Sequence, residues 1–276
     1  MDIYLFLKVT ILGIVEGLTE FLPISSTGHL IFVGHLLDFN DEKWKSFEIV
    51  IQSAAILAVC WEYKSKLKNI FFNIFINRSS RDFLLKVLVA FLPAVFLGLM
   101  FGEHIKRYLF SPEIVATTFI LGAIVIILVE KYKKSIPSDS LKNDIDNLTI
   151  TDAFKIGCLQ CFALIPGTSR SGASIIGAMI VGYSRKVSTE FSFYLAIPTI
   201  FGASVYSLYL DKNLISIYDL PSFGVGAVAS FFSAFFCIRW LIRYVSNNSF
   251  FIFAWYRIAF GILILISGWF ELNIWE

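Results

Sequence analysis

Apolar residues run along this chain in stretches too long for soluble helices, separated by short polar breaks. The runs predict spanning helices at 47–63, 83–101, 112–130, 187–209, 220–242 and 250–270, because about 20 apolar residues cross a bilayer core. The clearest break, Lys131 to Ile150, contains Pro137, Asp139, Asp144 and Asp146 and divides the chain into halves of about 1–135 and 150–276. Two further stretches, 3–36 and 151–183, begin as apolar helices, break at a proline followed by small hydroxyl residues and glycine, and then resume. Irregular backbone at membrane depth survives only when buried in protein or lining a wet cavity. Both stretches are therefore expected to be re-entrant helical hairpins with their tips inside the protein. The fold class that follows is an all-α polytopic membrane protein of one integral domain, 1–276, with about six spans and two hairpins.

The two hairpins resemble each other. At an offset of 144, Gly13 aligns with Gly157, Glu16 with Gln160, Ser25 with Ser169, Thr27 with Ser171 and Gly28 with Gly172; Ser46-x-Glu48 recurs as Ser188-x-Glu190. This pattern predicts an internal duplication. Three spans follow each hairpin, so the second copy is expected to be inverted relative to the first, as in transporters with broken helices at the midplane.

Composition agrees with a lipid-facing exterior. The chain is 57% hydrophobic and 16% charged, with mean hydropathy +0.74, against about 45–50% apolar and a quarter charged in soluble domains. A net charge of +2 is too small to suggest a nucleic-acid partner. Lys64, Lys66, Lys68, Arg78, Arg81, Lys131, Lys133, Lys134, Arg185, Lys186, Arg239 and Arg243 fall on one predicted side. The opposite connections hold only Lys43, Lys45, Lys106, Arg107 and Lys212. The positive-inside rule places the richer side in the cytoplasm, with both termini outside and the first hairpin entering from outside. Cys60, Cys158, Cys161 and Cys237 lie in apolar runs, and Cys158-x-x-Cys161 has no second pair or nearby histidine to complete a redox or metal site. The N-terminus has neither a basic region nor a signal cleavage pattern, so the first apolar segment is expected to be retained.

Chemistry concentrates at the hairpin breaks. The first reads Glu16-Gly17-Leu18-Thr19-Glu20-Phe21-Leu22-Pro23-Ile24-Ser25-Ser26-Thr27-Gly28-His29. Glu16 and Glu20 share a helix face, and two carboxylates in an apolar segment must meet a cation, a proton or a donor. Ser25, Ser26, Thr27 and Gly28 open a new helix whose N-terminus suits an anion, although capping alone would also explain them. His29 is placed for proton transfer or nucleophilic attack. The second break, Pro166-Gly167-Thr168-Ser169-Arg170-Ser171-Gly172, sets a guanidinium among hydroxyls, a combination suited to phosphate oxygens. Arg170 could instead pair with Glu16 or Glu20. The inventory fits phosphoryl transfer, with Glu16, Glu20, Ser26, His29 and Arg170 in catalytic roles. Ser25, Thr27, Gly28, Thr168, Ser169, Ser171 and Gly172 would bind substrate. Ser26 and His29, three apart on a starting helix, are expected within reach of each other; Ser26 is favoured as the nucleophile, because a histidine is more useful as a proton carrier, with attack by His29 or by water that it assists as the alternatives.

The stretches 16–29 and 166–172, with Phe47-Glu48 and Glu190-Phe191-Ser192-Phe193, resemble the signatures of the bacterial undecaprenyl-diphosphate phosphatase family, also called the bacitracin-resistance protein family. The resemblance runs nearly end to end. It implies hydrolysis of undecaprenyl diphosphate to undecaprenyl phosphate and inorganic phosphate, recycling the lipid carrier for peptidoglycan synthesis. It also implies a bacterial inner-membrane location, an active site open to the periplasm, and a divalent cation, Mg²⁺ or Ca²⁺, for which Glu16 and Glu20 are the ligand candidates. The polyprenyl diphosphate and membrane lipids are the expected partners; the oligomeric state, a homodimer included, is open. The phosphatidic-acid type of lipid phosphatase fits poorly, because Ile176 and Phe191 stand where its S-R-x5-H motif requires histidine. A polyprenyl-phosphate flippase could use the same inverted repeat and anion clamp, but would not need a histidine beside two acids.

Overall fold

The computed structural model describes residues 2–39, 42–135, 141–210 and 217–269. All regular elements among them are helices: α1 (Ile3–Thr19), α2 (Ser26–Leu36), α3 (Glu42–Glu62), α4 (Lys64–Asn73), α5 (Arg78–Leu109), α6 (Pro112–Lys134), α7 (Ile150–Gln160), α8 (Arg170–Val181), α9 (Arg185–Leu210), α10 (Leu220–Asn247) and α11 (Phe251–Trp269). Short 3₁₀ turns join some of them. α5 up to Ile105, α6 and α10 are long and apolar enough to cross a membrane, and a bent pair from Lys45 to Asn73 makes a fourth candidate. α9 and α11 occupy the two other stretches expected to span.

The stretch after Glu62 differs from the expected loop. The chain bends by 79° there and continues as α4. Lys64, Lys66 and Lys68 occupy the first half of this helix and Ile70, Phe71 and Phe72 its second half, and Phe71, Phe72 and, just beyond it, Phe75 are more than 70% exposed. An amphipathic sequence that turns off a spanning direction suits the membrane–water boundary, so the positive charges that read as a connection are helical.

The two expected hairpins are α1–α2, broken at residues 20–25, and α7–α8, broken at 161–169, with the arms of each packed on one another. Their tips sit inside the protein: Phe21 and Ile24 join one buried cluster with Ile175, Phe193, Ala234 and Ala254, from α8, α9, α10 and α11. Gly13 lets α1 approach the main chain of α10 at Gly226, and Gly157 lets α7 approach the main chain of α5 at Ala90; a Cβ on either glycine would collide with the facing carbonyl. Each hairpin thus leans on a long helix of the opposite half of the sequence.

Candidate active site

α2 and α8 begin in the same unusual way. Their N-cap residues, Ser25 (φ 67, ψ 100) and Ser169 (φ 77, ψ 117), both lie in the left-handed region. For a residue with a Cβ this conformation costs about 1–3 kcal/mol, strain that concentrates at functional sites. It turns the chain sharply from each break into a new helix. Ser25, Ser26 and Thr27 at the start of α2 and Ser169 and Arg170 at the start of α8 then line one cavity of about 210 Å³, together with Glu20, Gln52, Pro166, Gly167 and residues of α9. Two helix N-termini facing one cavity both favour an anion, through unpaired N–H groups and the positive ends of their dipoles.

Glu20 organises the cavity wall. Its Oε1 accepts from Arg170 Nη2 at 3.0 Å, its Oε2 accepts from the Ser26 hydroxyl at 2.5 Å, and Gln52 Nε2 approaches the same oxygen at 3.4 Å. Arg170 Nη1 donates to Ser192 O at 3.1 Å. The Arg170 Nε is buried and without a partner, a free donor on a side chain that borders the cavity. Glu16, on α1 one turn before its C-cap Glu20, is 0% exposed, and among the described residues neither of its carboxylate oxygens has a hydrogen-bond partner. An isolated buried carboxylate is costly unless a cation or a proton compensates it. The pair Glu16 and Glu20 offers hard oxygen donors of the kind Mg²⁺ and Ca²⁺ take, and such ions are commonly held by one or two carboxylates with the remaining sites filled by water and substrate phosphate. Among the described residues no group of three or more His, Cys, Asp or Glu is assembled around a metal position, so the substrate would have to complete the shell.

The remaining expected site residues lie behind this wall. Ser171 Oγ donates to Leu22 O at 2.7 Å and tethers the second tip to the first. Gly172 N–H is capped by Ser169 Oγ at 3.0 Å. Gly28 packs on the Phe119 ring with no room for a Cβ. Thr168 contributes its carbonyl to the support described below. The expected contact between Ser26 and His29 is absent. His29 Nδ1 lies 2.7 Å from Ser25 O and Nε2 lies 2.6 Å from the Tyr256 hydroxyl. A carbonyl can only accept, so Nδ1 carries the proton and Nε2 accepts from Tyr256. The ring stacks on Tyr256 and Phe260 at centroid distances of 5.5 and 4.3 Å. The reason is angular: three residues on, the His29 side chain turns toward α11, whereas Ser26 turns toward Glu20.

Sequence reasoning missed Arg257, on α11. It is 1% exposed, and all five of its N–H donors go to main-chain carbonyls: Nε to Phe119, Nη1 to Pro23 and Thr168, and Nη2 to Thr118 and Gly167, at 2.9–3.1 Å. One guanidinium thereby holds both tips against α6. Gly122 is bare because a Cβ there would strike that guanidinium. Arg257 stands alone in an apolar run, where a charge must find a buried partner, and that was the signal available. Tyr256 and Gln52 were also passed over, each as an ordinary member of a span, and Ser192, quoted within Glu190-Phe191-Ser192-Phe193, was given no role.

The family profile described as bacitracin resistance protein BacA matches residues 9–263. The chain is 55% identical over 275 residues to the undecaprenyl-diphosphatase of Herminiimonas arsenicoxydans, covering 100% of this chain and 99% of that one. It is 53% identical over 275 residues to the undecaprenyl-diphosphatase of Janthinobacterium sp. strain Marseille, with the same coverage. Over 295 residues it is 52% identical to the undecaprenyl-diphosphatase of Ralstonia nicotianae, covering 100% of both chains.

Proposed function

We propose, from the premise that this chain belongs to the bacitracin resistance protein BacA family, that the cavity between the two hairpin tips is the place where it acts on its lipid. The chain is an undecaprenyl-diphosphatase: it hydrolyses undecaprenyl diphosphate to undecaprenyl phosphate and inorganic phosphate. The observation that carries the placement is the convergence of two helix N-termini, Arg170 and the hydroxyls of Ser25, Ser26, Thr27 and Ser169 on one cavity. In our reading the diphosphate lies against these donors, and Glu16 and Glu20 would hold Mg²⁺ or Ca²⁺, which supplies neutralisation of the diphosphate charge when bound. The membrane is the bacterial inner membrane, the cavity opens to the periplasm, and the product returns to peptidoglycan synthesis. In favour of that orientation, Lys133, on the side expected to be cytoplasmic, lies fifteen residues along α6 from Thr118, about 22 Å at 1.5 Å per residue. The halves 1–135 and 150–276 are read as inverted copies, supported by the matched strain at Ser25 and Ser169 and by the reciprocal packing of Gly13 and Gly157.

Ser26 is the nucleophile in this mechanism. Its hydroxyl borders the cavity and already donates to Glu20. Substrate oxygens engage the Arg170 side chain through its unpaired Nε while Nη2 keeps Glu20 in place, and Glu20 takes the Ser26 proton. Oγ then bonds to the terminal phosphorus, the bridging P–O bond breaks, and undecaprenyl phosphate leaves. Water hydrolyses the phosphoserine and the proton returns to Ser26. His29, committed to Ser25 O and Tyr256, holds the start of α2 against α11. Rapid quench with substrate labelled in the terminal phosphate is expected to trap label on Ser26, and Ser26→Ala is expected to retain under a tenth of the rate, a barrier change above about 1.4 kcal/mol. Label on His29 would reverse the two roles.

The cation half of the reading has its own test. Exhaustive chelation is expected to abolish phosphate release by the purified protein in detergent micelles, where a flippase has nothing to cross. Glu16→Gln should raise the metal concentration needed for half-recovery. Full turnover after chelation would leave the two carboxylates sharing a proton instead.

A further inference from the structure

A second polar cavity, of about 300 Å³, lies at the far end of α6 and borrows from four parts of the chain. Lys133 comes from the last turn of α6, Asn143 from the connection between the halves, Ser184, Arg185 and Lys186 from the start of α9, and Ser246 from the end of α10. The connection is fixed rather than merely adjacent. Lys142 pairs in a parallel bridge with Tyr183, through hydrogen bonds of 3.1 Å to Gly182 O and from Ser184 N, and its ammonium reaches Asp152 at 2.8 Å. The Tyr183 hydroxyl donates to the same carboxylate at 2.8 Å.

Among the described residues the charge around this cavity does not balance. Glu130 is 0% exposed and fully engaged: Arg185 reaches it at 2.8 and 2.5 Å, and Phe250 N–H at 2.8 Å. That bidentate pair cancels Arg185. Lys133 is 6% exposed and, among the described residues, makes one hydrogen bond, to Tyr183 O at 3.2 Å, leaving two of its three N–H donors. Among the described residues no carboxylate lies within 4 Å of the ammonium of Lys133 or Lys186. Charges that only set membrane orientation stand in water, where they need no partner; a sequestered ammonium does. Ser184 O accepts the first helical hydrogen bond of α9, from Ser188 N at 2.9 Å, so the unpaired first-turn N–H groups of a 26-residue helix open at the same place.

We propose that this cavity binds a phosphate group, presented by an anionic phospholipid headgroup or as free inorganic phosphate, on the face of the protein opposite the catalytic cavity. Lys133 and Lys186 supply the charge, the α9 N-terminus supplies N–H donors, and Asn143 and Ser184 supply neutral donors. Basic pockets between membrane helices recognise phosphate headgroups through such a set.

Hydrogen exchange over residues 183–188 reads this site apart from the catalytic one. Three probes are added to the full chain in an uncharged detergent: inorganic phosphate, phosphatidylglycerol and zwitterionic phosphatidylcholine. A ligand at ten times its Kd is expected to slow exchange of these amides about tenfold. Protection by inorganic phosphate identifies the free anion as sufficient; protection by phosphatidylglycerol alone identifies the headgroup. Lys186→Glu, at an exposed position where refolding is not at stake, is expected to abolish the protection, and Lys133→Met to weaken it. Unchanged exchange with both anionic probes, equal protection by phosphatidylcholine, or full protection in Lys186→Glu would each overturn the proposal.

Discussion

Replacing Arg170 by lysine is expected to lower hydrolysis of undecaprenyl diphosphate by about 10²–10⁴-fold while leaving the protein folded. The guanidinium uses Nη2 for Glu20 and Nη1 for Ser192 O, and keeps a buried Nε without a partner for the incoming diphosphate. A lysine ammonium is one point with three donors and cannot hold the wall and the substrate in the same fork. Loss of one preorganised donor to a transition-state oxyanion costs about 10²–10³ in rate, and here the fork also positions the base. The charge is retained, so Glu20 is not left uncompensated and the fold survives. Phosphate release in micelles, beside a thermal unfolding midpoint, checks both halves. Near-parental turnover would remove Arg170 from the substrate clamp.

Arg257→Lys is expected to do the opposite: to lower stability first, and activity as a consequence. Five carbonyls from Pro23, Thr118, Phe119, Gly167 and Thr168 converge on five donors. Lysine offers three at most and has no fork to spread them, so at least two of the five contacts are lost; the Thr118 and Phe119 carbonyls keep their helical bonds within α6, but a carbonyl of Pro23, Gly167 or Thr168 left unpaired costs about 1–3 kcal/mol. A lower unfolding midpoint in detergent is expected. With the tips no longer pinned to α6, turnover should fall as well. A parental midpoint in this variant would show that the carbonyls find other donors. Arg170→Lys and Arg257→Lys therefore separate a group that meets the substrate from one that holds the scaffold.

The two tips were legible because each places proline, hydroxyls, glycine and charge inside an apolar run, a combination that lipid does not tolerate. The same rule would have found Arg257, but no proline and no hydroxyl run adjoins it, and 250–270 reads as one more span. α4 was hidden for the converse reason: its closely spaced lysines resemble a polar connection, and the apolar Ile70, Phe71 and Phe72 that follow them are too few to read as a span. The pairing of Ser26 depended on a side-chain choice. Spacing allows it to face His29, whereas Glu20, six residues back across the turn, wins by offering a charged acceptor. The strain at Ser25 and Ser169 could not be read at all, since serine carries no preference for a left-handed backbone.

The packing of α1 on α10 carries a consequence for how the protein is made. Gly13 and the carbonyl of Gly226 that it meets are 213 residues apart. At roughly 5–20 residues per second of synthesis, α10 follows α1 out of the ribosome by about 10–40 s. Arg170, the ion-pair partner of Glu20, also emerges long after it. During that interval the first hairpin has neither the helix it leans on nor the cation that pairs with its acid. Glu16 and Glu20 therefore enter the nascent protein before their environment exists, so the first hairpin is expected to wait at the insertion machinery or at the bilayer surface until the second half arrives to draw it in.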